Sequence, residues 1–174
     1  MSCPRFLAIV AGLAGLAGCA AGPAPIPPPP PAGDASWRAV EAADTRHYEL
    51  AMGEVSSGAV PATRVAPVYP ASLLASCPPP REVTARLIVD DQGKVAEVRV
   101  AQESLADAEL RLFIDAVRTA ARQWDFQPLT ISRWAADAEG ESHVVDQSAK
   151  PFSQDYVFRF ECHGGEAAVT SQPN

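Results

Sequence analysis

Four cysteines, three histidines and an aspartate pair are the residues of this chain with the most chemistry to offer. The histidines, His47, His143 and His163, are scattered and fall in no H-E-x-x-H spacing. No serine stands in G-x-S-x-G, and no glycine-rich loop is built to cradle a phosphate. Asp90 and Asp91 precede Gln92 and Gly93, so a strand-connecting turn accounts for the paired carboxylates. A catalytic site needs convergent groups. The sequence shows none, and neither an enzyme nor a cofactor is expected. Tyr69, Trp124 and Phe126 offer a binding platform or a core, and aromatic residues at such spacing more often form core.

The balance of charge limits the partners. Fourteen basic residues against twenty-one acidic give a formal charge of -7. That argues against a nucleic-acid surface, which needs a basic stripe, and against electrostatic attachment to acidic lipid, so no nucleic-acid partner is expected. The first eighteen residues read as a targeting segment, with Arg5 the only charge before Asp34. Residues 6–17 are an apolar run too short to span a bilayer. The run ends Leu16-Ala17-Gly18-Cys19, which resembles the lipobox of bacterial lipoproteins. That resemblance implies removal of residues 1–18 together with Cys3, and lipidation of Cys19. Cys19 then carries enough acyl chains to hold the chain stably on a lipid bilayer. The alternative is an ordinary secretory signal cut near Ala20 or Ala21. The residue after Cys19 is Ala20, not the aspartate that retains such lipoproteins at the inner membrane. The expected place is the periplasmic face of the cell envelope, at the outer membrane in preference to the inner.

The elements that would carry a domain follow. Residues 19–35 form a Pro-rich tether, with a polyproline run from Pro27 to Pro31. Residues 36–64 are expected to hold a helix, over about 36–52, and then a loop. A short helical stretch over 71–75 is stopped by Cys77 and three prolines. Val83, Ala85, Leu87 and Val89 alternate with Glu82, Thr84, Arg86 and Ile88, which is a period-2 strand. The turn at 90–93 and a second strand at 95–100 complete a hairpin. Leu110, Phe113, Ile114, Val117, Ala121 and Trp124 then recur at helical spacing, which predicts a one-sided helix over 104–124. Ser104 is read as its N-cap, with Asp107 three residues on. A third strand alternates Tyr156, Phe158, Phe160 and Cys162 with Val157, Arg159 and Glu161. Arg86, Glu97, Arg99, Arg159 and Glu161 are assigned to the sheet face away from the helix, where cross-strand ion pairs are expected. Residues 164–174 are expected to be a disordered tail.

Four motifs in order carry a family resemblance. They are Pro67-x-Tyr69-Pro70, Val89-Asp90-x-x-Gly93-x-Val95, Trp124-x-Phe126-x-Pro128 and the aromatic strand from Tyr156. Residues 65–163 therefore resemble the C-terminal domain of TonB, the periplasmic coupler of energy to outer-membrane transporters. The resemblance implies an α+β, two-layer domain. Its three-stranded antiparallel sheet has the order second, first, third strand, with helices on one face. Residues 131–136 and 142–147 are an insertion, expected as an extra hairpin. The family arrangement brings Cys77 and Cys162 together at the ends of neighbouring strands. A disulfide is the favoured reading. A metal pair with His163 and two free thiols are the alternatives, and three ligands are few for structural zinc. The family also implies that the third strand has an open edge. Gln154, Tyr156, Val157, Phe158, Arg159 and Phe160 are then expected to receive a peptide by strand addition, unless the insertion folds back over that edge. The chain lacks TonB's membrane helix and long arm. The expected function is a lipoprotein binding module for a periplasmic peptide or protein. The alternatives are an accessory of TonB-dependent transport with a transporter as partner, and a structural envelope protein.

Overall fold

The computed structural model describes residues 29–41 and 47–164. The lipobox, Cys19, most of the tether and the tail from 165 lie outside the described residues. In chain order the strands are β1 (Ala32–Val40), β2 (Glu54–Ser57), β3 (Pro61–Thr63), β4 (Arg81–Val89) and β5 (Val95–Val100). After the helix α1 (Ala108–Ala121) come β6 (Asp125–Phe126), β7 (Leu129–Ala136), β8 (Ser142–Lys150) and β9 (Phe152–His163).

The β4–β5 hairpin forms because its turn satisfies itself. The Asp90 carboxylate accepts from the N–H groups of Gln92 at 2.9 Å and Lys94 at 2.8 Å. Gly93 takes φ +80, and a Cβ there would overlap the Phe126 carbonyl oxygen. The Phe126 N–H in turn donates to the Gly93 carbonyl at 2.8 Å. The turn is thus locked to the chain that leaves the helix.

Helix α1 starts four residues later than the periodicity predicted, because residues 103–105 form a separate 3-10 turn. The cap is Asp107 and not Ser104: its carboxylate accepts from the Leu110 N–H at 2.7 Å. Phe113, Ile114, Val117, Ala120 and Ala121 are buried against the sheet. The core lies between α1 and the inward residues of β4, β5 and β9: Val83, Ala85, Leu87, Val98, Tyr156, Phe158 and Phe160. Trp124, just past the helix, is fully buried. Its indole N–H donates to the Val65 carbonyl at 2.8 Å, and its ring meets Tyr156 edge-on at 4.9 Å. Phe126 is buried beside it and Tyr69 is buried against Phe113 and Phe160, so the three aromatics are core and not a platform.

The two-layer domain with a three-stranded sheet is not what the chain builds. The three strands read from the sequence lie side by side as β5, β4 and β9, but a fourth strand continues the sheet, in the order β1-β9-β4-β5. A second sheet has the order β2-β7-β8, and β3 pairs with β6. Among the described residues one α-helix is present, not several on one face. The inserted residues do make a hairpin, β7–β8, and β2 adds to it within a stretch expected to be loop.

The helix expected over 36–52 is also corrected. Residues 32–40 are strand, antiparallel to β9 over nine consecutive residue pairs. Gly33, Ala35, Trp37 and Ala39 alternate with Asp34, Ser36, Arg38 and Val40, a period-2 pattern that competes with the helical reading. The deciding term is the β9 edge, whose free N–H and C=O groups need partners. Gly33 suits this place because the Tyr69 ring lies where a Cβ would be. The tether reading ended at 35, so β1 straddles the expected boundary at 35/36.

Candidate functional site

The predicted acceptor edge on β9 is already filled. Its register runs from Ala32↔His163 to Val40↔Asp155, through Ala39↔Tyr156, Arg38↔Val157, Trp37↔Phe158, Ser36↔Arg159 and Ala35↔Phe160. Of the six predicted edge residues only Gln154 lies outside this pairing. The covering strand is not the insertion but the segment after the proline run. Tyr156, Phe158 and Phe160 serve the core, while Val157 and Arg159 belong to the opposite face.

At the C-terminal end of β9 the structure joins Cys77 to Cys162, with Cα atoms 5.3 Å apart. Cys77 adopts φ +42, a conformation rare outside glycine. The bond links the stretch just before β4 to the end of β9. His163 instead faces Asp34 at 3.4 Å. Among the described residues no three metal-ligating side chains cluster.

The helix-free face of the four-stranded sheet carries the charges assigned to it. Arg86 grips the Asp155 carboxylate with Nε at 3.0 Å and Nη2 at 3.1 Å. This pair is sheltered, the two side chains being 27 % and 9 % exposed. Arg159 reaches Glu82 across the strands at 3.6 Å and pairs with Glu161 along its own. The hydrogen bond that Arg159 donates to the Glu161 carboxylate holds its guanidinium above its ordinary pKa. The hydrogen bond from Arg99 holds the Glu97 carboxyl below its own. These exposed pairs add little stability. On this face Glu82, Arg86, Glu97, Arg99, Asp155, Arg159 and Glu161 each have a partner of opposite sign.

A groove of about 890 Å³ opens where the two sheets meet. Its apolar lining comes from Val40, Leu50, Ile88, Leu129, Ile131 and Phe152. Tyr48 closes one side, its hydroxyl donating to the Pro151 carbonyl at 2.7 Å, and Glu41 with His47 at 3.4 Å stands at the mouth. A size of this order suits a small ligand or a few side chains of a peptide. The sequence did not reveal it, because its residues come from separate stretches between 39 and 155. Tyr48 falls within the helix expected over 36–52, and Leu129 lies just before the expected hairpin.

Beside the groove the β7–β8 hairpin presents an edge. β8 is the outer strand of its sheet, and no described residue pairs with its far side. Trp134, Val144 and Val55 are large apolar side chains exposed here. Val55 pairs with Ser132, and Trp134 is two residues on and opposite Val144, so the three share one face, the one opposite Leu129 and Ile131, which turn to the groove. Among the described residues no helix is long and apolar enough to cross a membrane. Comparison with protein-family models, with curated proteins and with solved structures finds no match for this chain.

Proposed function

We propose that this chain is a cell-envelope lipoprotein, tethered through acylated Cys19, whose folded domain holds a protein or peptide partner. The observation that carries the binding role is the apolar groove, one wall of which is β7, in a sheet whose outer strand β8 is unpaired among the described residues. Leu129 and Ile131 on β7 line the groove, and a strand added to β8 would extend that same sheet. Backbone pairing supplies affinity in such capture, and the groove supplies side-chain selection. The lipoprotein reading rests on Leu16-Ala17-Gly18-Cys19, and the periplasmic, outer-membrane placement follows from it and from Ala20. The resemblance to TonB's C-terminal domain supports a partner in the same compartment. The β9 edge is not proposed as the docking strand, because β1 occupies it.

The test places a photocrosslinking amino acid at Ile131 in the groove, at Val145 on β8, and at Leu105, which is exposed elsewhere. Ultraviolet irradiation of intact envelopes should give one discrete protein adduct from positions 131 and 145 and none from 105. Acyl labelling should be lost in Cys19→Ala. Labelling that persists in Cys19→Ala would remove the anchor. An absence of adducts at 131 and 145 would remove the binding role.

A further inference from the structure

We propose that β1 is an exchangeable strand, and that the β9 edge accepts residues 32–40 from a second copy of this chain. Among the described residues β1 pairs with β9 alone, and it does so over nine residues without a bulge. Not one of its nine residues is buried, whereas Asp155, Tyr156, Val157, Phe158 and Phe160 opposite are. Its main side-chain anchor is Trp37, whose ring lies 5.7 Å from Trp124. β1 is therefore held chiefly by backbone hydrogen bonds, which any strand of matching shape supplies equally.

The acceptor does not depend on β1. The disulfide joins Cys77 to Cys162, so the cross-linked stretch that holds β4, α1 and β9 excludes residues 32–40. When β1 leaves, the β4–β9 ladder and the helix packing remain. What appears is a β9 edge with unpaired backbone groups beside Trp124, Tyr156 and Phe158. The same residues from another copy restore every contact in the same register, including Gly33 under the Tyr69 ring. Reciprocal exchange is then isoenergetic at both edges, and chain connection and concentration decide between closed monomer and dimer. The connection is ample. β1 ends at 40 and β2 begins at 54, so 13 residues lie between them, a reach of roughly 43 Å when extended.

The register supplies the test. Ser36 lies opposite Arg159 on the helix-free face, and opposed Cβ atoms in such a pair are about 5 Å apart. Full-length exported chain carrying Ser36→Cys is mixed with chain carrying Arg159→Cys and treated with a short thiol-reactive crosslinker. A mixed dimer that rises with concentration, and that a synthetic peptide of residues 32–40 suppresses, is the expected result. Adding Gly33→Val to the Ser36→Cys chain should cut that dimer at least about tenfold, because the new side chain overlaps Tyr69 of the acceptor. The doubly substituted single chain should crosslink internally and reports that the variants fold. Internal crosslinking with no mixed dimer at any concentration overturns the proposal. So does a mixed dimer indifferent to both the peptide and Gly33→Val, since it would arise from another surface.

Discussion

Replacing Cys77 and Cys162 together by serine should strip the domain of a large part of its stability. The bond closes a loop with a sequence separation of 85. Loop-closure entropy for that length is about 15 cal/mol/K, or about 4.6 kcal/mol at 25 °C. Single domains are stable by roughly 5–15 kcal/mol in all, so this is a third or more of the total. The effect acts on the unfolded chain. It should appear as a lower urea midpoint together with a somewhat larger m-value, because the unlinked chain expands further when unfolded. With m of roughly 1.5–3 kcal/mol/M the midpoint should fall by about 1.5–3 M. The assay is urea unfolding followed by tryptophan fluorescence, on oxidised protein, on protein held in dithiothreitol, and on the double serine variant. The last two should coincide. A loss below about 1 kcal/mol would refute the reasoning, because a loop this long cannot be released at so small a cost if the bond is intact and unstrained. An unchanged midpoint in dithiothreitol would show that the two thiols were never joined.

Trp124→Ala should destabilise the domain by about 3–5 kcal/mol, since it empties the largest fully buried site and strands the Val65 carbonyl; calorimetry would show it, and a loss under about 1 kcal/mol would mean Trp124 is not core. Asp107→Ala should cost about 1 kcal/mol by removing the α1 cap, with Ser104→Ala near neutral; the reverse order in denaturant melts would return the cap to Ser104. Burial raises the Tyr156 pKa above 10.0, against a smaller opposing effect of the Arg64 charge. The folded protein therefore holds that proton more tightly than the unfolded chain. The stability is complete below about pH 10 and is lost as pH climbs through the folded value. Tyr156→Phe should flatten the alkaline fall in the urea midpoint, and an equal fall in both proteins would discharge Tyr156 from it. Tyr69, also raised by burial, contributes with the same sign.

The sequence by itself determined the elements whose patterns are local. The turn at Asp90–Gly93 carries its own hydrogen-bond acceptor and its own glycine, and β4 and β5 alternate on either side of it. The stripe from Leu110 to Trp124 could be amphipathic only as a helix. Side-chain alternation also placed Arg86, Glu97 and Arg159 on the face away from α1. Their pairing was partly expected, but the sheltered Arg86–Asp155 pair was not, because it needs the register Arg86↔Asp155.

Only the tertiary structure decided where the sheets end. Residues 32–40 carry small residues that suit several conformations, and their local pattern read more readily as tether and helix. They become strand because β9 offers unpaired backbone groups, a demand written more than a hundred residues away. The same long-range pairing gave β2 its place beside β7 and created the groove between the sheets. Edge pairing rests on the backbone groups every residue has, so it leaves a weak mark in the sequence. Core packing selects side chains by size and polarity, and that is why the core was legible and the edges were not.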